Sequence, residues 1–257
     1  MNSMLNRSVA FAPARPGREA PPEGPVSGCG RARKLMRLYD FDGYLEAVTA
    51  FQHVLEQAPG YAPAFAGLGE TYSYWGFRRE LNGLEARSYY HLAVENAELA
   101  LDLAPERGES HRAMSVALRR GDRIDAERSK EEVLLALDLD ANDAETWCQY
   151  WRAFGYNIAD TSILRAIELD PTLCGAYNDL AVVLCGCGRF DEAARHLETA
   201  LRLSPSNSLV QYNLAMVLDR RNQREAALRL LQSALAARPG DALLTSGWAL
   251  MGGTHHA

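Results

Sequence analysis

A short apolar segment recurs six times along this 257-residue chain, and five of its copies end at a proline. The six copies read VLEQAP, ALDLAP, ALDLDA, AIELDP, ALRLSP and ALAARP, and their last residues stand at 59, 105, 141, 171, 205 and 239. The last interval is 34 residues. A repeat of this length indicates stacked copies of one supersecondary unit, because no single unit of this size buries its own apolar face.

Each copy closes a segment whose apolar and small residues have helical spacing. In the fifth copy, Ala193, Leu197 and Ala200 precede Pro205, and strand-like alternation is absent from residue 31 onward. Small residues at these positions let two helices approach closely. Proline lacks an amide donor and disfavours helix in the residue before it, so it marks the helix boundary. The spacing therefore predicts paired helices that are separated by short turns.

The first helices carry a motif that resembles the tetratricopeptide repeat. Phe65-x2-Leu68-Gly69-x2-Tyr72 is similar to that family's W-x2-L-G-x2-Y pattern, and the family's second helix carries A-x3-F before a proline. The resemblance covers roughly residues 31–240. It implies an all-α fold, a right-handed α-solenoid of about six helix-turn-helix units closed by a C-terminal capping helix.

The predicted organisation has four parts. These are a flexible tail rich in proline and glycine at 1–30, the repeat array at 31–241, a capping helix at 242–251 and a disordered tail at 252–257. The predicted repeats span 31–61, 62–107, 108–143, 144–173, 174–207 and 208–241.

The second repeat contains an insertion at 77–88. Asn82 followed by Glu85 resembles a capping box, which predicts that the second helix of this repeat starts there and projects beyond its neighbours. Long insertions of this kind resemble those of arrays attached to bacterial transcriptional activators and nucleotide cyclases. A DNA-binding or cyclase domain is not identified in this sequence, so the resemblance to those proteins extends only to the repeat array.

Composition sets limits on the partner and the compartment. The net charge of −6 gives no general attraction to nucleic acid or to an anionic membrane, and no apolar run approaches the roughly 20 residues that span a bilayer. Five cysteines, an odd number in a chain of this size, favour free thiols and a reducing compartment. A cytoplasmic protein is therefore expected, although a targeting segment containing Arg7, Arg15 and Arg18 stays open.

Catalytic and metal-binding motifs are not found. The sequence has no G-x-S-x-G elbow, phosphate-binding loop or H-E-x-x-H pair, so no enzymatic activity, cofactor or metal is expected. Cys185-Gly186-Cys187 is interpreted as a helix end and a turn, because a zinc site needs two further ligands and only His196 is nearby. A metal- or redox-dependent protein built on these cysteines is the weakest of the alternatives.

The resemblance places the binding surface in a concave groove that is lined by the first helices. The groove positions are Glu70, Tyr74, Arg112, Arg119, Gln149, Arg152, Asn178, Tyr212, Asn213 and Asp219. Asn178 and Asn213 are suited to hydrogen-bond a peptide backbone, and the arginines are suited to hold a carboxylate. The lysine–asparagine carboxylate clamp of some family members does not transfer, because the only lysines are Lys34 and Lys130.

A second candidate surface lies at the start of the insertion. Trp75, Phe77, Arg78 and Arg79 have the composition favoured at interface hot spots, and the alternative is that Trp75 and Phe77 pack beneath the extended helix. The predicted function is a non-enzymatic scaffold for a protein or peptide partner. The alternative is a sensory or regulatory subunit that acts with a separate DNA-binding or catalytic protein. The identity of the partner and self-association through an uncapped end are left open.

Overall fold

The computed structural model describes residues 24–157 and 161–252. Within these ranges the chain forms thirteen α-helices, a 3-10 helix at Gly121–Arg123 and no strand, which confirms the all-α prediction. The helices are α1 (Pro25–Met36), α2 (Phe41–Gln57), α3 (Ala62–Leu81), α4 (Arg87–Leu103), α5 (Gly108–Ala117), α6 (Ala126–Leu139), α7 (Ala144–Ala153), α8 (Ser162–Leu169), α9 (Cys174–Gly186), α10 (Phe190–Leu203), α11 (Ser208–Arg220), α12 (Arg224–Ala237) and α13 (Ala242–Leu250).

The helices pack as six successive hairpins, from α1 with α2 to α11 with α12, and α13 packs against the last of them. First helices also contact one another, as α3 does with α5 and α5 with α7, and this contact stacks the hairpins into a solenoid. The small residues of the repeat lie in the helix contacts. Ala193, Ala200 and Ala215 are completely buried, which allows the close approach that the sequence predicts.

Short polar side chains fix several helix starts. Asp40 accepts a hydrogen bond from the backbone N–H of Gly43 at 2.7 Å, and Asn207 accepts one from Leu209 at 3.1 Å. Such caps satisfy amide groups that have no partner in the first turn of a helix.

The Cys-Gly-Cys segment lies at the end of α9. The helix ends at Gly186, and Gly188 adopts a left-handed backbone with a φ of 76° before α10 begins. Glycine adopts this conformation without a steric cost, which agrees with the interpretation as a helix end and a turn. Among residues 24–157 and 161–252, no group of three or more histidine, cysteine or acidic side chains is placed to hold a metal ion.

The predicted boundary of the N-terminal tail is wrong. Helix α1 begins at Pro25, so residues 25–30 are helical, and Cys29 is buried against the next hairpins. Proline at the first position of a helix removes an amide that has no partner there, so its presence is compatible with a helix start. The rest of the predicted tail, 1–23, and the final segment, 253–257, lie outside the described residues.

The insertion also differs from its prediction, because it lengthens the first helix of the repeat and not the second. Helix α3 has 20 residues, whereas α4 starts at Arg87 and has 17. Asn82 caps the end of α3, and Glu85 accepts a hydrogen bond from the Ser88 N–H at 3.0 Å. The side chain of Trp75 packs on the ring of Tyr89, and this contact stabilises the second half of α3. The helix ends before Gly83, which adopts a left-handed backbone. Among the described residues, no helix has the length and apolar character needed to cross a membrane.

Candidate functional site

The long helix α3 lies inside the solenoid and contacts several later repeats through one face. Glu70, Tyr74, Arg78 and Asn82 follow one another at intervals of four residues, so they share that face. We call these four residues the α3 stripe.

The first half of the α3 stripe contacts α5 and α7. The Nε of Arg112 donates a hydrogen bond to Glu70 at 2.7 Å, and the Nε2 of Gln149 donates one to the Tyr74 hydroxyl at 2.8 Å. Glu70, Arg112 and Gln149 are all less than 5% exposed. These three predicted groove residues therefore do not face an open groove, because their side chains are buried in the contacts that α3 makes with α5 and α7.

The second half of the α3 stripe reaches the C-terminal repeats. Arg78 donates a hydrogen bond to the hydroxyl of Ser208 at the start of α11. The amide oxygen of Asn82 accepts a hydrogen bond from the backbone N–H of Ala242, the first residue of α13, at 2.9 Å. One helix thus connects repeats that are far apart in sequence.

Helix α1 adds ionic contacts inside the solenoid. Arg33 lies 3.3 Å from Glu70, 3.0 Å from Glu109 and 3.5 Å from Glu145, which come from three successive first helices. Attraction between these opposite charges holds α1 against the inner surface of the array.

The loop between α1 and α2, residues 37–40, reaches across to the loop that follows α10. The hydroxyl of Ser204 donates a hydrogen bond to the backbone oxygen of Leu38 at 2.6 Å, and that of Ser206 donates one to Asp40 at 2.5 Å. The interior of the solenoid is therefore partly filled by its own N-terminal hairpin and by α3.

A cavity of about 510 Å³ remains between α3 and the helices α9 and α11. We call it the central cavity. It brings together seven residues that the sequence places on two separate surfaces, namely Tyr74, Phe77, Arg78, Arg119, Arg152, Asn178 and Asn213. Its volume lies within the usual range for a ligand pocket.

Four arginines line the central cavity, and a single carboxylate faces them. Arg152 forms an ion pair with Asp179, which is the only acidic residue among the described side chains of the lining. Arg78, Arg119 and Arg120 have no carboxylate partner in the described part of the chain. The cavity therefore carries an excess of positive charge.

Arg78 is the most deeply buried of these side chains, with 2% of its surface exposed. Its Nε and Nη1 atoms have no hydrogen-bond partner among the described residues. Burial lowers the pKa of this guanidinium, since removal from water disfavours the charged form. A buried charged donor without a partner is costly, so it marks a position where an anion gains strong hydrogen bonds.

Arg119 is a second arginine of the cavity with a nitrogen atom that lacks a hydrogen-bond partner in the described chain. This atom is its Nε. Burial, followed by repulsion from the positive charge of Arg152, lowers the pKa of Arg119 to about 10. Arg120 lies with its guanidinium carbon 3.7 Å from the ring centre of Phe77, a cation–π contact that holds this charge at the cavity wall.

Aromatic side chains form much of the wall, and two of them have an uncommon backbone. Tyr39 and Tyr156 line the cavity with φ angles of 55° and 56°. A bulky residue in this left-handed region carries strain of about 1–3 kcal/mol, and such strain is concentrated at functional sites. The turns after α1 and α7, which hold these tyrosines, therefore both contribute to the wall of the central cavity.

The remaining predicted site residues lie outside the central cavity. Tyr212 packs in the C-terminal core, and Asp219 lies 3.5 Å from Arg224. Trp75 is buried against Tyr89 on α4, with ring centres 5.0 Å apart.

Arg79 likewise points away from the cavity. Its guanidinium lies over the ring of Tyr89, 4.8 Å from its centre, and its Nε donates a hydrogen bond to the backbone oxygen of Glu85 at 2.6 Å. Arg79 therefore holds the start of α4 against α3.

Sequence reasoning missed Tyr39, Arg120 and Tyr156. The Arg119–Arg120 pair in the turn after α5 is a local signal that could have indicated the second arginine. The two tyrosines lie in loops, and no local pattern shows that these loops meet at one cavity.

Comparisons with known proteins agree with this architecture. Residues 163–195 and 186–246 match models of the tetratricopeptide repeat. A search of curated proteins finds no significant match.

Two solved structures have the same fold. One is the anaphase-promoting complex hetero-tetramer Cut9–Hcn1, with 15% identity, a TM-score of 0.60, and coverage of 89% of this chain and 43% of that one. The other is human IFIT1 in a dimer with m7Gppp-AAAA, with 14% identity, a TM-score of 0.63, and coverage of 89% and 59%. Likeness at these identities shows the fold alone. The two matched repeat models and the solenoid of helix hairpins together support a tetratricopeptide-repeat protein.

Proposed function

We propose that this chain is a non-enzymatic protein-interaction scaffold that binds an acidic peptide segment of a partner in the central cavity. The observation that carries the proposal is the presence of Arg78, Arg119 and Arg120 around one cavity without a carboxylate partner in the described chain. Arginine binds carboxylates through paired, charge-assisted hydrogen bonds. An acidic side chain of a partner supplies the missing counter-charge.

The polar wall opposite the arginines supports binding of a peptide backbone. Asn213 donates a hydrogen bond to the amide oxygen of Asn178 at 2.8 Å, and this fixes the orientation of both side chains. The amide oxygen of Asn213 then remains as an acceptor for a backbone N–H, and peptide N–H groups need such a partner when they leave water.

The filled interior limits how much of the partner can enter. Helix α1, residues 37–40 and α3 occupy the space where an extended peptide would follow the first helices of the repeats. The partner therefore contributes a short segment of a few residues, which limits the entropy that is lost on binding.

Binding of degenerate peptide pools to the full chain tests this function. Two fluorescent nonapeptide pools share randomised flanks, and their central residue is either glutamate or lysine. We expect the glutamate pool to bind and the lysine pool not to bind, with affinity that falls as salt rises. Arg119→Gln should weaken binding of the glutamate pool by at least about tenfold, since it removes a charge-assisted contact.

The matched control is Arg165→Gln on α8, whose side chain is exposed and pairs with Glu168 outside the central cavity. This variant should bind the glutamate pool as the unmodified chain does. Equal binding of both pools, or an Arg119→Gln variant that binds normally, contradicts the proposal. A role beside a separate DNA-binding or catalytic protein stays a prediction, because it depends on which partner supplies the segment.

A further inference from the structure

Resting on this proposed function, we propose that the group anchored in the central cavity is a phosphorylated aromatic side chain of the partner. Its phosphate is held by Arg78, Arg119 and Arg120, and its ring lies against the aromatic wall.

The balance of charge favours a phosphate over a carboxylate. Asp179 is matched by Arg152, so three guanidinium groups of the cavity lack a carboxylate partner in the described chain. A carboxylate brings one negative charge and two acceptor oxygens. A phosphomonoester brings a charge between about −1.5 and −2 at neutral pH and three strong acceptor oxygens, which matches the cluster better.

The donors of the cluster also match a phosphate. Two nitrogen atoms of Arg78 and one of Arg119 have no hydrogen-bond partner among the described residues, and both side chains line the cavity. Hydrogen bonds between guanidinium groups and phosphate oxygens are among the strongest in proteins. In surroundings of low polarity they gain further strength, because water does not compete for the same atoms.

The residues of the cavity wall indicate which kind of side chain carries the phosphate. Tyr74 and Phe77 lie on one side, and Val182, Val183 and Leu209 supply apolar surface elsewhere in the lining. A flat aromatic ring buries more surface against such a wall than the short chain of a phosphoserine does. The ligand that fits is therefore an aromatic ring with a phosphate at its far end.

The observations favour a protein side chain over a nucleic acid as the source. A nucleic acid carries one phosphate per nucleotide and binds to extended basic surfaces, whereas this chain has a net charge of −6. The excess positive charge at this site belongs to one cavity of about 510 Å³. A single phosphorylated side chain satisfies that cavity without further basic contacts.

The test uses the full chain and extends the peptide pools described above. Pools with a central phosphotyrosine, phosphoserine, tyrosine or glutamate share the same randomised flanks, and adenosine monophosphate and inorganic phosphate serve as free phosphate probes. We expect the phosphotyrosine pool to bind at least about tenfold tighter than the glutamate and phosphoserine pools. The unmodified tyrosine pool should show no measurable binding.

Two variants test the assigned contacts. Arg119→Gln should remove most of the preference for phosphotyrosine over tyrosine, whereas Arg165→Gln should keep it. Phe77→Leu should weaken phosphotyrosine binding more than phosphoserine binding, because it removes both the aromatic wall and the cation–π contact that holds Arg120. The thermal transition of each variant identifies any loss of folding, and the two substitutions act at different contacts.

The outcomes separate the two proposals. If the glutamate pool binds and the phosphotyrosine pool binds no tighter, the phosphate inference is wrong and the acidic-peptide function stands. If adenosine monophosphate binds tighter than every peptide pool, the inference that the phosphate belongs to a protein side chain is wrong. If no pool or phosphate probe binds, both proposals are wrong.

Discussion

Arg112 on α5 donates a hydrogen bond to Glu70 on α3 across 2.7 Å, and both side chains are almost completely buried. Arg33 lies 3.3 Å from the other oxygen of the same carboxylate. The cost of removing these charges from water cancels much of their attraction, so the network fixes the position of α3 more than it raises overall stability.

Removal of one partner from this network should be strongly destabilising. Arg112→Met leaves Glu70 buried with Arg33 as its remaining cation, and we expect the free energy of unfolding to fall by about 3–5 kcal/mol. Chemical denaturation followed by circular dichroism measures the change. Arg165→Met on the exposed face of α8 is the matched control and should stay within about 0.5 kcal/mol of the unmodified chain. A loss as small as that of the control means that the network does not hold α3.

Glu145 should make stability depend on acid pH. Burial alone raises the pKa of its carboxyl, but attraction to Arg112, Arg37 and Arg33 outweighs burial and lowers the pKa from 4.5 to about 2. Because the folded pKa is the lower one, this contribution is complete above pH 4.5 and disappears as the pH falls towards 2.

The corresponding measurement compares the unmodified chain with Glu145→Gln between pH 6 and pH 2. The free energy of unfolding of the unmodified chain should fall by roughly 3 kcal/mol more than that of the variant over this range. Identical pH profiles show that the Glu145 carboxyl is not held ionised by its arginine neighbours.

Arg78 should favour ligand binding at the expense of stability. Arg78→Met removes a buried charge whose Nε and Nη1 atoms have no partner in the described chain, so the free energy of unfolding should rise by about 1–3 kcal/mol. The same variant should bind the glutamate pool at least about tenfold more weakly. Ser208→Ala is the control, because it removes only the hydroxyl that accepts from Arg78. A less stable Arg78→Met variant contradicts the view that the missing ion-pair partner of Arg78 costs stability.

Two glycines within helices should respond to alanine in opposite directions. A Cβ at Gly67 of α3 overlaps the buried ring of Phe51, so Gly67→Ala should cost about 1–3 kcal/mol. A Cβ at Gly30 of α1 meets no atom within 4 Å, so Gly30→Ala should stabilise the chain by about 0.5–1 kcal/mol. Thermal unfolding of both variants checks the prediction. Equal effects mean that the packing of α3 against α2 is misplaced.

Features that depend on short-range spacing could be predicted from the sequence. Ala193, Ala200 and Ala215 mark helix contacts and are buried. Asn82 and Glu85, by contrast, fit a capping box locally, yet Asn82 ends α3. The local pattern fails there because the side chain of Trp75 packs between elements and keeps α3 helical beyond the usual length of the repeat.

The candidate site, too, could be predicted only where it depends on local sequence spacing. Tyr74 and Arg152 lie on the first helices α3 and α7, and Arg119 lies in the turn after α5, but the sequence could not show that Phe77 and Arg78 share a cavity with them. Which residues line the cavity depends on the curvature of the array. This curvature is the sum of small rotations between successive repeats.

The sequence by itself determined the helix hairpins, their order and their repeat, because helical periodicity and turn residues act within a few tens of residues. Only the tertiary structure decided that the interior is filled by α1 and α3, and that Tyr39, Arg78 and Arg119 meet at one cavity. These residues come from different repeats. Their approach depends on contacts such as that between Asn82 and Ala242, which are 160 residues apart and leave no periodic trace in the sequence.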